Sequence, residues 1–251
     1  MENFSKNDEN NFIRQVYEGG ITINTLYKPL SKKLFKATYK KLKGGVKQAF
    51  NRYKDPLFIE LSENVYIFSA AKTYTQVKDL SSLITEGERL RAFSEFKKVA
   101  KSKFDIYNVD YLKSEYETAI GQAQTAVKWQ EIVKQSKLFP YLKREAVMDG
   151  ITSPECVILN GIVAPVGDSF WATRSPLTHF NCRCIITQID KYDEVSLSSG
   201  KEKEEAMSKT DHINPLFKGN PGIDKVVFNE SHPYFDIEQK DKNLAKRNFN
   251  L

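Results

Sequence analysis

The chain has 251 residues, 40% of them hydrophobic and 28% charged, with a formal net charge of +6. That length suits one large domain or two small ones, with apolar content enough for a core. No stretch of about 18 apolar residues occurs, so a membrane-spanning helix is not expected, and the polar start Met1–Asp8 lacks the basic and apolar blocks of a secretory signal. A reducing cytoplasm is the expected setting, where a disulfide framework is disfavoured, and three cysteines, an odd number, agree with it.

Charge is distributed unevenly. Residues 1–54 carry twelve Lys/Arg against four Asp/Glu, and ten of the basic side chains fall between Lys28 and Lys54, a stretch with no acid. Residues 1–11, rich in Asn and charge, read as a loose terminus. From Leu26 to Phe50, apolar residues at Leu30, Leu34, Leu42, Val46 and Phe50 recur in steps of four and eight, which predicts an amphipathic helix. Gly44-Gly45 is expected to weaken or bend it. Lys28, Lys32, Lys33, Lys36, Lys40, Lys41, Lys43, Lys47, Arg52 and Lys54 cover the rest of this segment. They suit either a solvated face or a contact for nucleic acid or an acidic partner.

The apolar run from Leu57 to Lys72, after Asp55-Pro56, predicts a buried helix. Thr85-Glu86-Gly87-Glu88 has capping-box spacing, and Leu90, Phe93, Phe96 and Val99 follow at helical steps, so a helix is expected over 86–103. Asn108 or Asp110 can cap the next helix. Its apolar face is Leu112, Tyr116, Ile120, Ala123, Val127 and Ile132, with small residues Ala119, Gly121 and Ala126 allowing close approach of a neighbour, and it stops before Pro140.

After Tyr141 the pattern turns to strands. Arg144–Val147 reads as one; Cys156 opens an apolar run that Asn160-Gly161 divides as in a hairpin; Pro165–Asp168 is a turn; Cys184–Gln188 is a further strand. Residues 191–210 have linker composition. The tail from Asp211 holds a turn at Asn220-Pro221-Gly222, a strand candidate at Val226–Phe228 and an aromatic knot at His232–Phe235, and is expected to dock on the body. The fold class is therefore α+β. A helical, basic region spans 1–105, a β-rich unit lies within 106–190, a polar linker covers 191–210, and 211–251 form an irregular C-terminal extension.

All three cysteines lie between Cys156 and Cys184, beside one of three histidines. His179, Cys182 and Cys184 are spaced H-x2-C-x-C. With Cys156 they make a Cys3His set that could serve as a tetrahedral structural zinc site. The other reading is small buried thiols, with His179 bonded to backbone. A thiol nucleophile lacks a third partner to orient the base, and Asp149, Glu155 and Asp168 occupy turns, where carboxylates commonly bond local backbone. No catalytic residue is assigned.

The ordered series Trp129, Pro140-Tyr141, Asp149, Ser153-Pro154-Glu155-Cys156, Leu159-Asn160-Gly161, Phe170-Trp171, Pro176 and His179-Phe180-Asn181-Cys182-Arg183-Cys184 resembles the phage Mu F-like head-morphogenesis family, the minor head proteins of tailed phages. The resemblance covers about residues 105–190, making 106–190 the Mu F-like core. One position departs: where the family usually has a histidine this chain has Cys156, which keeps metal-ligand character but changes basicity. The resemblance implies a virion component assembled in the host cytoplasm, not an enzyme. It would associate with the portal protein, with capsid or scaffolding proteins and with double-stranded DNA, and not with a membrane. The alternatives are an enzyme delivered with the DNA, such as a nuclease or toxin-like effector, or a DNA-binding module using the basic helix.

Overall fold

The computed structural model describes residues 4–52, 54–241 and 248–249. The chain divides into two compact units. One comprises Met1–Gly45, Ser62–Glu117 and His232–Leu251; the other comprises Val46–Leu61 and Thr118–Ser231. The architecture is α+β, as expected: helices carry the first half, a small sheet follows, and the C-terminal region is irregular.

In the first unit, α1 (Lys6–Tyr17) starts inside the segment expected to be loose. Ser5 supplies the reason. Its hydroxyl accepts the Asp8 N–H, and the Asp8 carboxylate accepts the Ser5 N–H at 2.8 Å, a capping box that an Asn-rich composition conceals. Phe12, Ile13 and Val16 then bury one face. Helix α2 (Pro29–Lys47) opens on a proline, whose fixed φ suits the first helical position. It runs unbroken through Gly44-Gly45. A Cβ on Gly45 would stand 3.1 Å from the Tyr116 carbonyl oxygen, so this glycine permits a close backbone approach rather than a bend.

Helix α3 (Pro56–Ser82) begins in the second unit, with Asp55 accepting the Leu57 N–H, and continues through the first. The helix expected over 86–103 is shorter. Residues 85–90 form a two-rung hairpin, β1 (Thr85–Glu86) and β2 (Arg89–Leu90), turned at Gly87 with φ +59°, and α4 (Phe93–Asp105) follows. The Thr-x-x-Glu spacing at 85–88 was a chance match. The effective cap is Glu95, whose carboxylate accepts the Ala92 N–H. No break separates α4 from α5 (Leu112–Gln135), because a π-helical stretch, Ile106–Tyr111, joins them. Asn108 caps nothing and instead donates to Gln76 and to the Phe104 carbonyl.

A buried polar knot sits inside this unit. Lys72 is fully buried and pairs with Glu115 at 2.5 Å. Burial pushes the Lys72 ammonium pKa down and the Glu115 carboxyl pKa up, each against the other's attraction. The tail returns here as expected. The His232 ring packs edge-on against Phe68 at 4.7 Å, and Tyr74 donates to Asp241.

The second unit is built around a three-stranded antiparallel sheet in the order β4-β3-β5. β3 is Tyr141–Glu145, β4 is Val163–Pro165 and β5 is Ile185–Ile189; Leu142 pairs with Ala164 on one side and Gln188 on the other. The run opened by Cys156 is not a strand. It is α6 (Pro154–Leu159), with proline at its first turn; Asn160-Gly161, with φ +81° at Gly161, then turns the chain into β4. Helix α7 (Phe170–Arg174) lays Phe170 and Trp171 into a core with Trp129, Ile132, Leu142 and Leu159.

Within the segment expected to be a linker, α8 (Gly200–Lys209) is a helix capped by Ser199 and Glu202. Arg174 grips its C-terminal end, donating to the Met207 carbonyl and the Thr210 hydroxyl. Val226–Phe228 is not a strand: Val227 and Phe228 are buried in an irregular stretch after the short helix α9 (Pro221–Asp224). The small residues of α5 act as expected, since a Cβ on Gly121 would come within 2.6 Å of Leu177.

Candidate metal centre

Three chain segments converge on one point of the second unit. Helix α6 presents Cys156 from its first turn; residues 178–184 wrap past it; β3 passes beneath with Arg144 on its buried face. Cys156, Cys182 and Cys184 are 2%, 9% and 8% exposed, with Ala146 and Leu177 packed against them. Cys182 and Cys184 precede β5 rather than lying in it, yet they keep the alternation expected of extended chain. Both face inward, and Arg183 between them points out to Asp149.

Cys156 Sγ is central. It lies 3.1 Å from Cys184 Sγ, 3.7 Å from Cys182 Sγ and 3.2 Å from His179 Nε2. The ligand atoms of Cys156, His179 and Cys182 all fall within 4.8 Å of one another. A tetrahedral Zn²⁺ with S at about 2.3 Å and N at about 2.0–2.1 Å needs donor atoms at separations of this order. The histidine is prepared for it. Its Nδ1 faces the Phe180 carbonyl at 2.7 Å, which places the proton on Nδ1 and leaves the Nε2 lone pair directed at the thiols. Among the described residues no carboxylate orients this ring, unlike the base of a nucleophilic pair. The thiols perturb one another: bonds from Cys156 and Cys184 pull the Cys182 pKa down, and the bonds that Cys184 donates hold its own proton on. Cys156, His179 and Cys182 are a soft donor cluster that could hold a metal ion, with Cys184 Sγ beside Cys156.

The surroundings fix these side chains. Asn181 adopts φ +59°, a left-handed turn that Asn tolerates, and the chain reverses between His179 and Cys182 there. Arg183 clasps Asp149 through two bonds at 2.7 and 2.8 Å, and Asp149 also accepts the Ile151 N–H and the Thr152 hydroxyl. The Arg183 guanidinium holds the Asp149 carboxyl well below the usual range. An open pocket of about 310 Å³ lies over the thiols, bordered by Ile151, Ser153, Phe180 and Asn181.

Two residues of this centre were not picked out from the sequence. Thr178 Oγ1 lies 3.6 Å from Cys156 Sγ and 3.8 Å from Cys182 Sγ, and nothing in its own context distinguishes it. Arg144 had a signal. In β3 the buried positions alternate as Leu142 and Arg144, so a charge occupies the inward face of a strand. Asp168, the other turn carboxylate, accepts the Phe170 N–H and binds Lys203, a capping role away from the thiols.

The basic residues occupy another part of the chain. Lys33, Lys36, Lys40, Lys41 and Lys47 are exposed on α2, and Arg52 and Lys54 are exposed beyond it; Lys28, Lys32 and Lys43 are half-buried. Some have local work. Lys33 pairs with Asp8 at 2.7 Å, and the Lys41 ammonium sits 3.8 Å from the centre of the Tyr116 ring. Lys28 to Lys43 belong to the first unit, and Lys47, Arg52 and Lys54 to the second.

Comparison with known proteins places the same region. Residues 76–187 match the family described as Phage Mu protein F like protein, so the resemblance read from the residue series holds and extends toward the N-terminus. The "Putative capsid assembly protein F" of Escherichia phage Mu is 38% identical over 81 residues, 32% of this chain and 16% of that protein. This chain therefore matches only a small part of that relative. No solved structure matches. All four candidate ligands lie inside the matched segment; α2 and the C-terminal tail lie outside it.

Proposed function

We propose, since residues 76–187 match the Phage Mu protein F like family, that this chain is a minor head protein acting in head morphogenesis of a tailed phage. It is assembled in the host cytoplasm, remains in the virion, and works at or near the portal and packaged DNA beside capsid or scaffolding proteins. The single observation that carries this reading is the match itself, supported by the capsid-assembly description of the phage Mu relative. The exposed lysines of α2 suit contact with an acidic head-protein surface or with DNA phosphates; contact with phosphates would weaken steeply with salt.

Within this role the Cys156, His179, Cys182 and Cys184 set is read as a structural zinc site. Bound there, zinc would supply a cross-link between α6 and the segment leading into β5, fastening a unit whose sheet has only three short strands. With Cys184, 3.1 Å from Cys156, as the fourth ligand beside the backbone-held imidazole, the set would be closed, which favours a fastening role over a catalytic one, because a catalytic zinc keeps a position open for substrate.

The test is genetic. A phage deprived of this chain should lyse its host yet yield few filled heads by electron microscopy, and supplying the chain in trans should restore them. Normal numbers of filled heads without it would remove the morphogenesis role.

A further inference from the structure

The charge count around the thiols is unfinished. Arg144 is fully buried, and its partners are neutral: Nη1 donates to the Arg174 carbonyl at 2.7 Å and Nη2 to the Thr178 hydroxyl at 3.2 Å, while Nε has no partner among the described residues. A buried guanidinium without an anion is costly and needs compensation. Two other arginines lie near and are accounted for: Arg183 is exposed and clasped to Asp149, and Arg174, buried beside Arg144, has the attraction of Asp211. Three thiolates, a neutral imidazole and a divalent ion sum to one negative charge, also buried. Thr178 connects the two. Its oxygen accepts from Arg144, so its own proton is free to point at Cys156 or Cys182 Sγ, at 3.6 and 3.8 Å.

We infer that Arg144 is the counter-charge of the metal centre, acting through Thr178 to hold a three-thiolate site as a neutral buried assembly. Arg144 is thus a positioning residue, not a ligand, and the inference rests on the zinc reading above. The unusual Cys156 and the buried Arg144 form a matched pair: a histidine at 156 would remove one negative charge and with it the need for the arginine.

That last consequence gives the test. Zn²⁺ affinity is measured on the full-length chain by competition with a chromophoric chelator, with Co²⁺ absorption to report the ligand set. The proteins are the wild type, Arg144→Met, Cys156→His and the double variant. Arg144→Met should weaken Zn²⁺ binding by about 10–100-fold in the three-thiolate protein, the range for losing an outer-shell partner. In the Cys156→His background the same change should fall to within about twofold of no effect, the tolerance for uncoupled sites. An equal loss in both backgrounds would show Arg144 to be scaffolding only and overturn the inference while leaving the zinc reading intact. A wild-type chain that takes up neither Zn²⁺ nor Co²⁺ would overturn both. Should Arg144→Met fail to fold, the near-isosteric Thr178→Val puts the same question through the relay, and equal losses in the two backgrounds would again count against the inference.

Discussion

Acid should loosen the helical unit, and His232 should be responsible for a measurable share of the effect. Its ring packs against Phe68 and Tyr234, its Nδ1 accepts the Tyr234 N–H at 3.2 Å, and the Lys72 ammonium faces it. Burial, assisted by that positive charge, lowers its pKa from 6.5 to about 4. The sign follows from proton counts. Between pH 6.5 and about 4 the unfolded chain holds a proton on this ring that the folded chain excludes. The stability contributed by the neutral ring is therefore fully present above pH 6.5 and is lost as pH falls toward 4. About 2.5 pH units at ~1.4 kcal/mol each gives an upper figure of about 3.5 kcal/mol, and partial exposure of the ring trims it to about 2–3 kcal/mol. His232→Asn keeps an acceptor for the Tyr234 N–H but cannot titrate. Urea unfolding midpoints should be measured for both proteins from pH 7 to pH 4. The wild type should lose about 2–3 kcal/mol more than the variant over that range; the other groups are common to both proteins and cancel in the comparison. Parallel curves would refute the burial argument for this ring.

Three further outcomes follow from the packing. Lys72→Met strands the buried Glu115 carboxylate and should cost about 3–5 kcal/mol, most of it recovered in the Lys72→Met/Glu115→Leu pair; chemical denaturation of the two variants checks this. Gly222→Ala would place a Cβ 2.4 Å from Trp129 Cβ. It should destabilise the second unit by about 1–3 kcal/mol and alter tryptophan fluorescence, and a neutral substitution would mean that α9 is not seated against Trp129. Free Zn²⁺ at a thousandfold over its Kd should stabilise the second unit by about 4 kcal/mol, an increment that a chelator removes and that Cys182→Ser and Cys184→Ser variants lack.

Much of this architecture was legible from local pattern. The helical faces of α2 and α5, the end of α5 before Pro140, the inward alternation of Cys182 and Cys184 and the gathering of Cys156 with His179 all follow from periodicity and spacing. Failures came where two local signals compete. Cys156-Val157-Ile158-Leu159 is β-branched and apolar, but Pro154 at the first turn makes it a helix, and only tertiary packing decides between them. Ser199-x-x-Glu202 was hidden inside linker-like composition, and Thr85-x-x-Glu88 offered the same spacing where a hairpin forms. The Lys72–Glu115 pair joins residues 43 positions apart, beyond the reach of any local rule. Arg144 was detectable only by asking why a charge occupies the inward face of a strand; its relation to the thiols needed the fold.

The central claim is that this chain is built into phage heads. Its most direct measurement is quantitative mass spectrometry of gradient-purified procapsids and mature virions from an infection in which the chain is expressed at its natural level. The account predicts the chain in both particles, at low copy relative to the major capsid protein. Its absence from both, with the chain recovered only as free protein in the lysate, would contradict the account.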